Sequence, residues 1–184
     1  MLVSGLSILF ILLVSISLSF AEAAPQSVVD LANAKLAAFG TDPVLVDAVK
    51  AENAKGKAMA DIEAMDAKWK GTAGVADYMK AMMDSPAGKR LVEIRDSESY
   101  LLELFLMDNQ GANVAMSDKT SDYWQGDEAK FKKSFNDGAG AVFVDDVEFD
   151  KSAQSYLCQV SVPVMDGGKA IGAITFGVDV DKVK

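Results

Sequence analysis

The hydrophobic period of the chain changes once, close to Arg95, and this change limits the fold more than any other feature. Before it, apolar residues recur about every three to four positions, a spacing that predicts amphipathic helices. After it, apolar and polar residues alternate in short runs bounded by turn residues, which predicts β-strands. A helical part followed by a strand-rich part is typical of an α+β fold.

The helical part is predicted to contain one long helix. Asp42 and Pro43 supply the N-cap and the first-turn proline that begin a helix. Its apolar side continues to Trp69, and "KGTAG" (70–74) ends it. A short helix follows the long one, and a further one begins at Pro86. The stripe of Met and Trp on the long helix predicts core packing or a dimer seam.

The remaining chain predicts a five-stranded, mostly antiparallel sheet, with the long helix covering one face. A short helix from Asp127 to Phe135 lies in the crossover between the second and third strands. The turns "DNQG" (108–111) and "DGGK" (166–169) connect neighbouring strands. The strands are predicted at 99–108, 112–117, 141–150, 152–164 and 170–180.

The first residues predict export. An unbroken apolar and serine run at 6–20 precedes "AEAAPQ", which offers an A-x-A-like cleavage site. We expect a signal peptide over 1–23, with cleavage before Ala24 or, one step earlier, after Ala21. No Lys or Arg precedes the run, so an uncleaved membrane anchor is the alternative. Either interpretation places the remainder outside the cytoplasm, in the periplasm or secreted.

Composition argues against several classes of function. The 184 residues correspond to about one domain, and the net charge of −9 without a basic patch argues against a nucleic-acid partner. The chain has no histidine and one cysteine, Cys158, which removes histidine-based catalysis and argues against a zinc or iron–sulfur site. No cofactor is expected, and the protein is not expected to be an enzyme.

A run of acids at 145–150, "DDVEFD", is a candidate for Ca²⁺. It lacks the spacing of an EF-hand loop, so no metal site is predicted. On an alternating strand, Asp146, Glu148 and Asp150 would share one face, and Asp145 would lie on the other.

The stretch "DYWQGDE" (122–128) holds two aromatic and two acidic candidates. Tyr123 and Trp124 are expected either to plug the face of the sheet or to form a lid over a ligand. Asp127 is predicted as the N-cap of the short helix, and Glu128 favours its positive end. Adjacent acids cannot be assigned to opposite sides of a scissile bond, so catalysis by this pair is not expected.

The D-x-x-G hairpin (108–111), "DYWQGDE" and the tail "VPVMDGGKAIGAITFGVDV" together resemble the Cache family of extracytoplasmic sensor domains, also called PDC domains and related to PAS. The resemblance covers about residues 30–182. It implies a Cache domain made of a helical region (24–95), with a long N-terminal helix, packed on a PAS-like ligand-binding sheet (96–184).

The resemblance implies a small-molecule pocket between the sheet and the loop-plus-helix that crosses it. The ligand would be an amine, an amino acid or a small organic acid, and a membrane receptor or kinase would report its binding. Because the last strand runs almost to Lys184, we expect that partner to be a separate protein. The residues expected to bind the ligand are Tyr123, Trp124, Asp127, Glu128, Phe131, Phe143, Asp145 and Tyr156.

The charges near this pocket favour a cationic or zwitterionic ligand. Amino-acid-binding relatives place an arginine here, and no arginine follows Arg95. Acids take its place, and acids with aromatics suit a cation. Three lysines, Lys130, Lys132 and Lys133, are counter-evidence, but we expect them on a solvated helix face. The alternative function is a structural or interaction protein that forms homodimers or larger oligomers through its long helix, with a vestigial pocket.

Overall fold

A computed structural model describes residues 22–150 and 154–184. The predicted signal peptide or anchor lies outside the described residues, apart from positions 22 and 23. In the part that is described, none of the helices has the length and apolar character needed to cross a membrane. The helices are α1 (Gln26–Ala34), α2 (Pro43–Asn53), α3 (Met59–Lys70), α4 (Asp77–Met83), α5 (Pro86–Asp96) and α6 (Ala129–Phe135); the strands are β1 (Leu101–Met107), β2 (Asn113–Met116), β3 (Phe143–Asp150), β4 (Ser155–Asp166) and β5 (Lys169–Asp179).

The strands form one antiparallel sheet in the order β2-β1-β5-β4-β3. Hairpins join β1 to β2, β3 to β4 and β4 to β5, while the chain crosses the sheet between β2 and β3 with α6 in the crossover. The predicted α+β fold and five-stranded sheet are therefore confirmed, and the helical part ends at Asp96, next to the change of period.

The predicted long helix is divided into α2 and α3. Its start is as expected, since the Asp42 carboxylate accepts hydrogen bonds from the amides of Val44 and Leu45. The break follows Asn53, whose side chain donates to the Ile171 carbonyl and accepts from the Asn109 amide. Gly56 then takes φ +57°, a left-handed conformation that ends the helical path.

Helices α1, α2 and α5 cover one face of the sheet with a closely packed apolar core. Leu104 and Leu106 of β1, Val160 of β4, and Ile174 and Phe176 of β5 point into it, each with at most 1% of its surface exposed. Burial of such side chains contributes roughly 1.5–3 kcal/mol each. This face therefore supplies most of the stability of the fold.

A second, smaller core lies on the opposite face at the β1–β2 end. It joins Ile62 and Trp69 of α3 to Met107, Tyr123 and Phe131, all buried. The apolar stripe of the predicted long helix therefore packs inside the chain, as the core-packing interpretation predicts, while a dimer through this helix stays a prediction.

The short helix begins later than predicted. Its N-cap is Glu128 rather than Asp127, and no side chain caps it. Asp127 uses its main-chain oxygen instead, accepting a hydrogen bond from Lys132 Nζ at 2.6 Å. The prediction that Asp127 caps this helix is therefore wrong. The helix begins at Ala129, one residue too late for Asp127 to be its N-cap.

Candidate binding site

The sheet face opposite α1, α2 and α5 is polar along its centre. Ser161 of β4 and Thr175 of β5 lie side by side, fully buried, with their hydroxyls 2.7 Å apart. Glu103 of β1 and Gln159 of β4 both lie opposite Gly177 of β5 in the strand register. A Cβ on Gly177 would come 2.7 Å from Glu103 Cγ, so the glycine gives the carboxylate room to lie across the sheet.

Two adjoining cavities open above this polar strip. We call them the acidic cavity, of about 320 Å³, and the loop cavity, of about 310 Å³. Both are lined by Glu103, Lys130, Asp150 and Gln159, so they form one continuous site. The acidic cavity adds residues of β3 and Glu128, while the loop cavity adds Phe105, Gln125 and the segment 119–121.

A larger groove of about 570 Å³ lies elsewhere, between α1 and the C-terminal residues. Two of its lysines are already paired, Lys35 with Glu98 and Lys182 with Asp179. We place the candidate site in the two polar cavities because their lining combines a buried lysine, Lys130, with a buried acceptor on Gln125 that has no donor among the described residues.

The roof of the site is the loop from 118 to 128, and polar contacts hold it in place. Asp66 of α3 is buried and accepts hydrogen bonds from the amides of Tyr123 and Trp124. Burial alone would raise the pKa of Asp66, but the bonds from Lys70 and from these amides bring it below its ordinary value. The Trp69 indole also donates to the Thr120 carbonyl, so α3 fixes the loop at several points.

Tyr123 and Trp124 lie in this roof but line neither cavity. Tyr123 is 4% exposed, packs against Trp69 and accepts a hydrogen bond from Lys57. The Trp124 indole donates to the Gln110 carbonyl at 2.8 Å, which ties the loop to the β1–β2 turn. The polar atoms expected to orient a ligand are therefore engaged within the chain, as the plug interpretation predicts. Contact of either ring with a ligand stays a prediction.

Three other predicted aromatics also lie away from the cavity linings. Phe131 is buried and stacks on Phe135, and Phe143 lies 4.3 Å beneath Lys133. Tyr156 is half exposed and packs edge-on against Phe149. Because side chains alternate along β4, Tyr156 points away from the face on which Leu157 and Gln159 line the site. These three predicted binding residues therefore line neither cavity.

The acids of β3 come closer together than alternation predicts. A bulge between Val144 and Val147 shifts the register with β4, so Asp145 and Asp146 both line the acidic cavity. The assignment of these two aspartates to opposite faces is therefore wrong. Glu148 and Asp150 line the same cavity, and Glu128 faces them from the start of α6. Within residues 22–150 and 154–184, no cluster of acids has the geometry of a metal site.

The lysines of α6 differ from one another. Lys132 and Lys133 are exposed, as predicted, but Lys130 is only 8% exposed and lines both cavities. Its Nζ lies 2.9 Å from Glu128 Oε2 and 5.3 Å from the centre of the Phe105 ring. The prediction of a solvated face is wrong for Lys130, because α6 packs onto the sheet through this side.

Two polar side chains of the site were not anticipated. Gln125, 1% exposed, donates through Nε2 to the Asp122 carbonyl, which leaves its buried Oε1 without a donor. Burial raises the pKa of the Glu103 carboxyl, while the charge of Lys130 opposes this and that of Asp150 adds to it. One feature of the sequence did single out Glu103, because this residue interrupts the apolar run "LLELFLM" (101–107).

No protein-family model and no curated protein matches the chain. Solved structures do match. They include the sensor domain of the V. cholerae histidine kinase DctB (14% identity, TM-score 0.44, covering 86% of this chain and 55% of that one). The sensory domain of the Campylobacter jejuni chemoreceptor Tlp3 with isoleucine bound also matches (15%, 0.41, 86% and 65%).

A third match is the ligand-binding domain of the Pseudomonas aeruginosa PAO1 amino acid chemoreceptor PctC in complex with GABA (12%, TM-score 0.37, covering 68% of this chain and 58% of that one). The chain spans 55% to 65% of the length of these structures. The three structures are sensor or ligand-binding domains of a histidine kinase and of two chemoreceptors.

Proposed function

We propose that the protein is a non-enzymatic, extracytoplasmic module that binds a small molecule carrying an ammonium group and reports this binding to a membrane signalling partner. One observation carries the proposal: carboxylates outnumber cations in the lining of the paired cavities. Among the described lining residues, the cations are Lys119 and Lys130. The carboxylates are Glu103, Glu128, Asp145, Asp146, Glu148 and Asp150.

The excess of carboxylates over cations in the lining is larger than the count of residues suggests. Lys119 turns its ammonium away to the carbonyls of Thr72 and Gly74, at 2.8 and 2.7 Å. Lys130 is the other lysine among the described lining residues, and it is paired with Glu128. Like charges held close together in a partly buried cavity repel one another, and a bound cation relieves this repulsion. The site therefore favours a positively charged group over an anion.

Two further groups suit an ammonium ion. Gln125 Oε1 is a buried acceptor that lacks a donor among the described residues, and an ammonium can donate to it. Phe105 presents its ring to the loop cavity, where a cation already lies above it. Together with the carboxylates, these groups distinguish an ammonium compound from a neutral molecule of the same size.

The function as a sensor rests on the sequence resemblance to Cache domains, and the ligand class rests on the cavity. The cavities are compact, so we expect a ligand of a few heavy atoms rather than a peptide. Reporting through a membrane receptor or kinase follows from the same resemblance and is part of this proposal.

A three-carbon series of ligands tests the proposal. Propylamine, 3-aminopropanoate and propanoate share a carbon skeleton and differ in the charge at each end. Isothermal titration of the protein should show saturable binding of one or both ammonium compounds and none of propanoate. The Glu63→Gln variant is the control, since it removes one exposed acid that lines neither cavity and should bind as the wild type does.

The proposal is wrong if propanoate binds as tightly as propylamine, or if none of the three binds at millimolar concentration. A protein that fails to bind and forms concentration-dependent oligomers would support the alternative, an interaction protein. Light scattering on the same samples distinguishes these outcomes.

A further inference from the structure

Lys130 lies at the centre of the site, in the lining of both cavities. Its side chain is 10% exposed, whereas that of its partner Glu128 is 38% exposed. Removing a lysine ammonium from water is costly and requires compensating contacts. The carboxylate at 2.9 Å and the Phe105 ring at 5.3 Å provide them, and the Glu103 carboxylate contributes a favourable charge.

These contacts are also the ones that a bound organic cation would make. A carboxylate and the face of an aromatic ring form a typical environment for an ammonium group. The chain thus holds an ammonium of its own where the proposed function places that of the ligand. Two ammonium groups cannot occupy one position, because they would repel each other and compete for Glu128 and Phe105.

We infer, on the basis of the proposed function, that Lys130 is a resident ammonium that occupies the cation position of the site and that a ligand must displace. Lys130 is then a specificity-determining residue. A simple amine gains the acidic environment but leaves the displaced lysine without its carboxylate. A zwitterion offers its own carboxylate to the displaced lysine, so the resident ammonium favours zwitterions over amines.

The substitution Lys130→Met tests this inference, because it keeps a long, flexible side chain and removes the charge. Titrations with propylamine and 3-aminopropanoate give the ratio of the two dissociation constants for each protein. In Lys130→Met the preference for 3-aminopropanoate over propylamine should fall by about fivefold or more. A factor of five is the lower end of the usual coupling between two binding events. Lys130→Arg retains a cation and should keep the wild-type preference.

Lys132→Met is the matched control. It removes one positive charge from the same helix at an exposed position, so it measures the effect of net charge alone and should leave the ratio unchanged. Circular dichroism establishes that each variant is folded, and Lys130→Gln replaces Lys130→Met if the latter is not.

The outcomes separate the inference from the proposed function. If propylamine and 3-aminopropanoate bind but the ratio is the same in wild type and Lys130→Met, the inference is overturned while the proposed function stands. If the ratio moves equally in Lys132→Met, general electrostatics explains it and the inference is overturned. If neither compound binds to any variant, both fail.

Discussion

The two faces of the sheet are built from neighbouring residues of the same strands but differ in chemistry. On β5, Ile174 points into the helix-covered core and Thr175 points towards α6, and both are fully buried. The first face is apolar throughout, while the second holds Ser161, Thr175, Gln159 and Glu103 along its centre. Buried polar groups contribute less to stability than apolar ones of similar volume. Their concentration on one face therefore indicates a face shaped for binding.

The largest expected effect is a difference in the free energy of unfolding between substitutions on the two faces of the sheet. Ile174→Ala removes a fully buried side chain from the helix-covered core, and we expect it to lower the free energy of unfolding by about 2–5 kcal/mol. The pair Ser161→Ala with Thr175→Val removes both partners of one buried hydrogen bond and should be nearly neutral. Urea denaturation measures both. Equal losses would contradict the division of roles between the faces.

The next effect concerns the roof of the polar face. Asp66→Ala leaves the buried amides of Tyr123 and Trp124 without their acceptor, which should cost about 1–3 kcal/mol at neutral pH. Because the pKa of Asp66 is lowered in the folded state, its contribution is present above the ordinary value of 3.8 and is lost as the pH falls through the folded pKa.

The difference in stability between wild type and Asp66→Ala should therefore narrow below pH 3.8. Denaturation of both proteins between pH 7 and pH 2 measures this, with Glu63→Ala on the exposed side of the same helix as the control. A difference that stays constant over this range would show that packing, rather than the carboxylate, holds the roof.

A smaller effect tests the charge on the polar face. Glu103→Gln keeps the shape of the side chain and removes its charge, so we expect propylamine to bind about tenfold more weakly, as for the loss of one charge-assisted contact. Because burial raises the pKa of Glu103, the wild type should bind the amine more tightly as the pH rises above the ordinary value of 4.5. Titration calorimetry over this range should show this dependence weakened in Glu103→Gln.

The smallest effect is expected at the start of α6. Asp127→Ala should change the free energy of unfolding by less than about 0.5 kcal/mol, because no side chain caps this helix and only the main chain of Asp127 is used. A loss of 1 kcal/mol or more, the usual cost of removing an N-cap, would restore the capping role.

The sequence predicts the sheet well because its evidence is local. Alternating residues and turns such as "DGGK" specify each strand without knowledge of its partners. The division of the long helix could not be predicted in this way. Asn53 ends α2 through bonds to Ile171 and Asn109, which are distant in the chain. Gly56 is a local signal of a helix end, but a single glycine is also tolerated inside a helix.

The site is predictable only in part for the same reason. Glu128 and Asp145 are recognisable as acids near the crossover, and both line the acidic cavity. Gln125 and Gln159 are unremarkable in sequence. The position of Gln159 follows from the pairing of β4 with β5, and that of Gln125 from the roof loop. The roles of Tyr123 and Trp124 depend on Asp66 and Gln110, partners that no local pattern identifies.

The most direct test of a cation site on the polar face is the pKa of Glu103 itself. Carboxyl ¹³C resonances of labelled protein, followed over pH with and without saturating propylamine, report this value for one named residue. Propylamine brings a second ammonium group into a cavity that still holds the displaced Lys130, and this added positive charge stabilises the ionised carboxylate. We therefore expect a raised pKa of Glu103 in the free protein and a lower one when propylamine binds. If the pKa of Glu103 does not change while propylamine binds, the ligand lies elsewhere and there is no cation site beside Glu103 on the polar face.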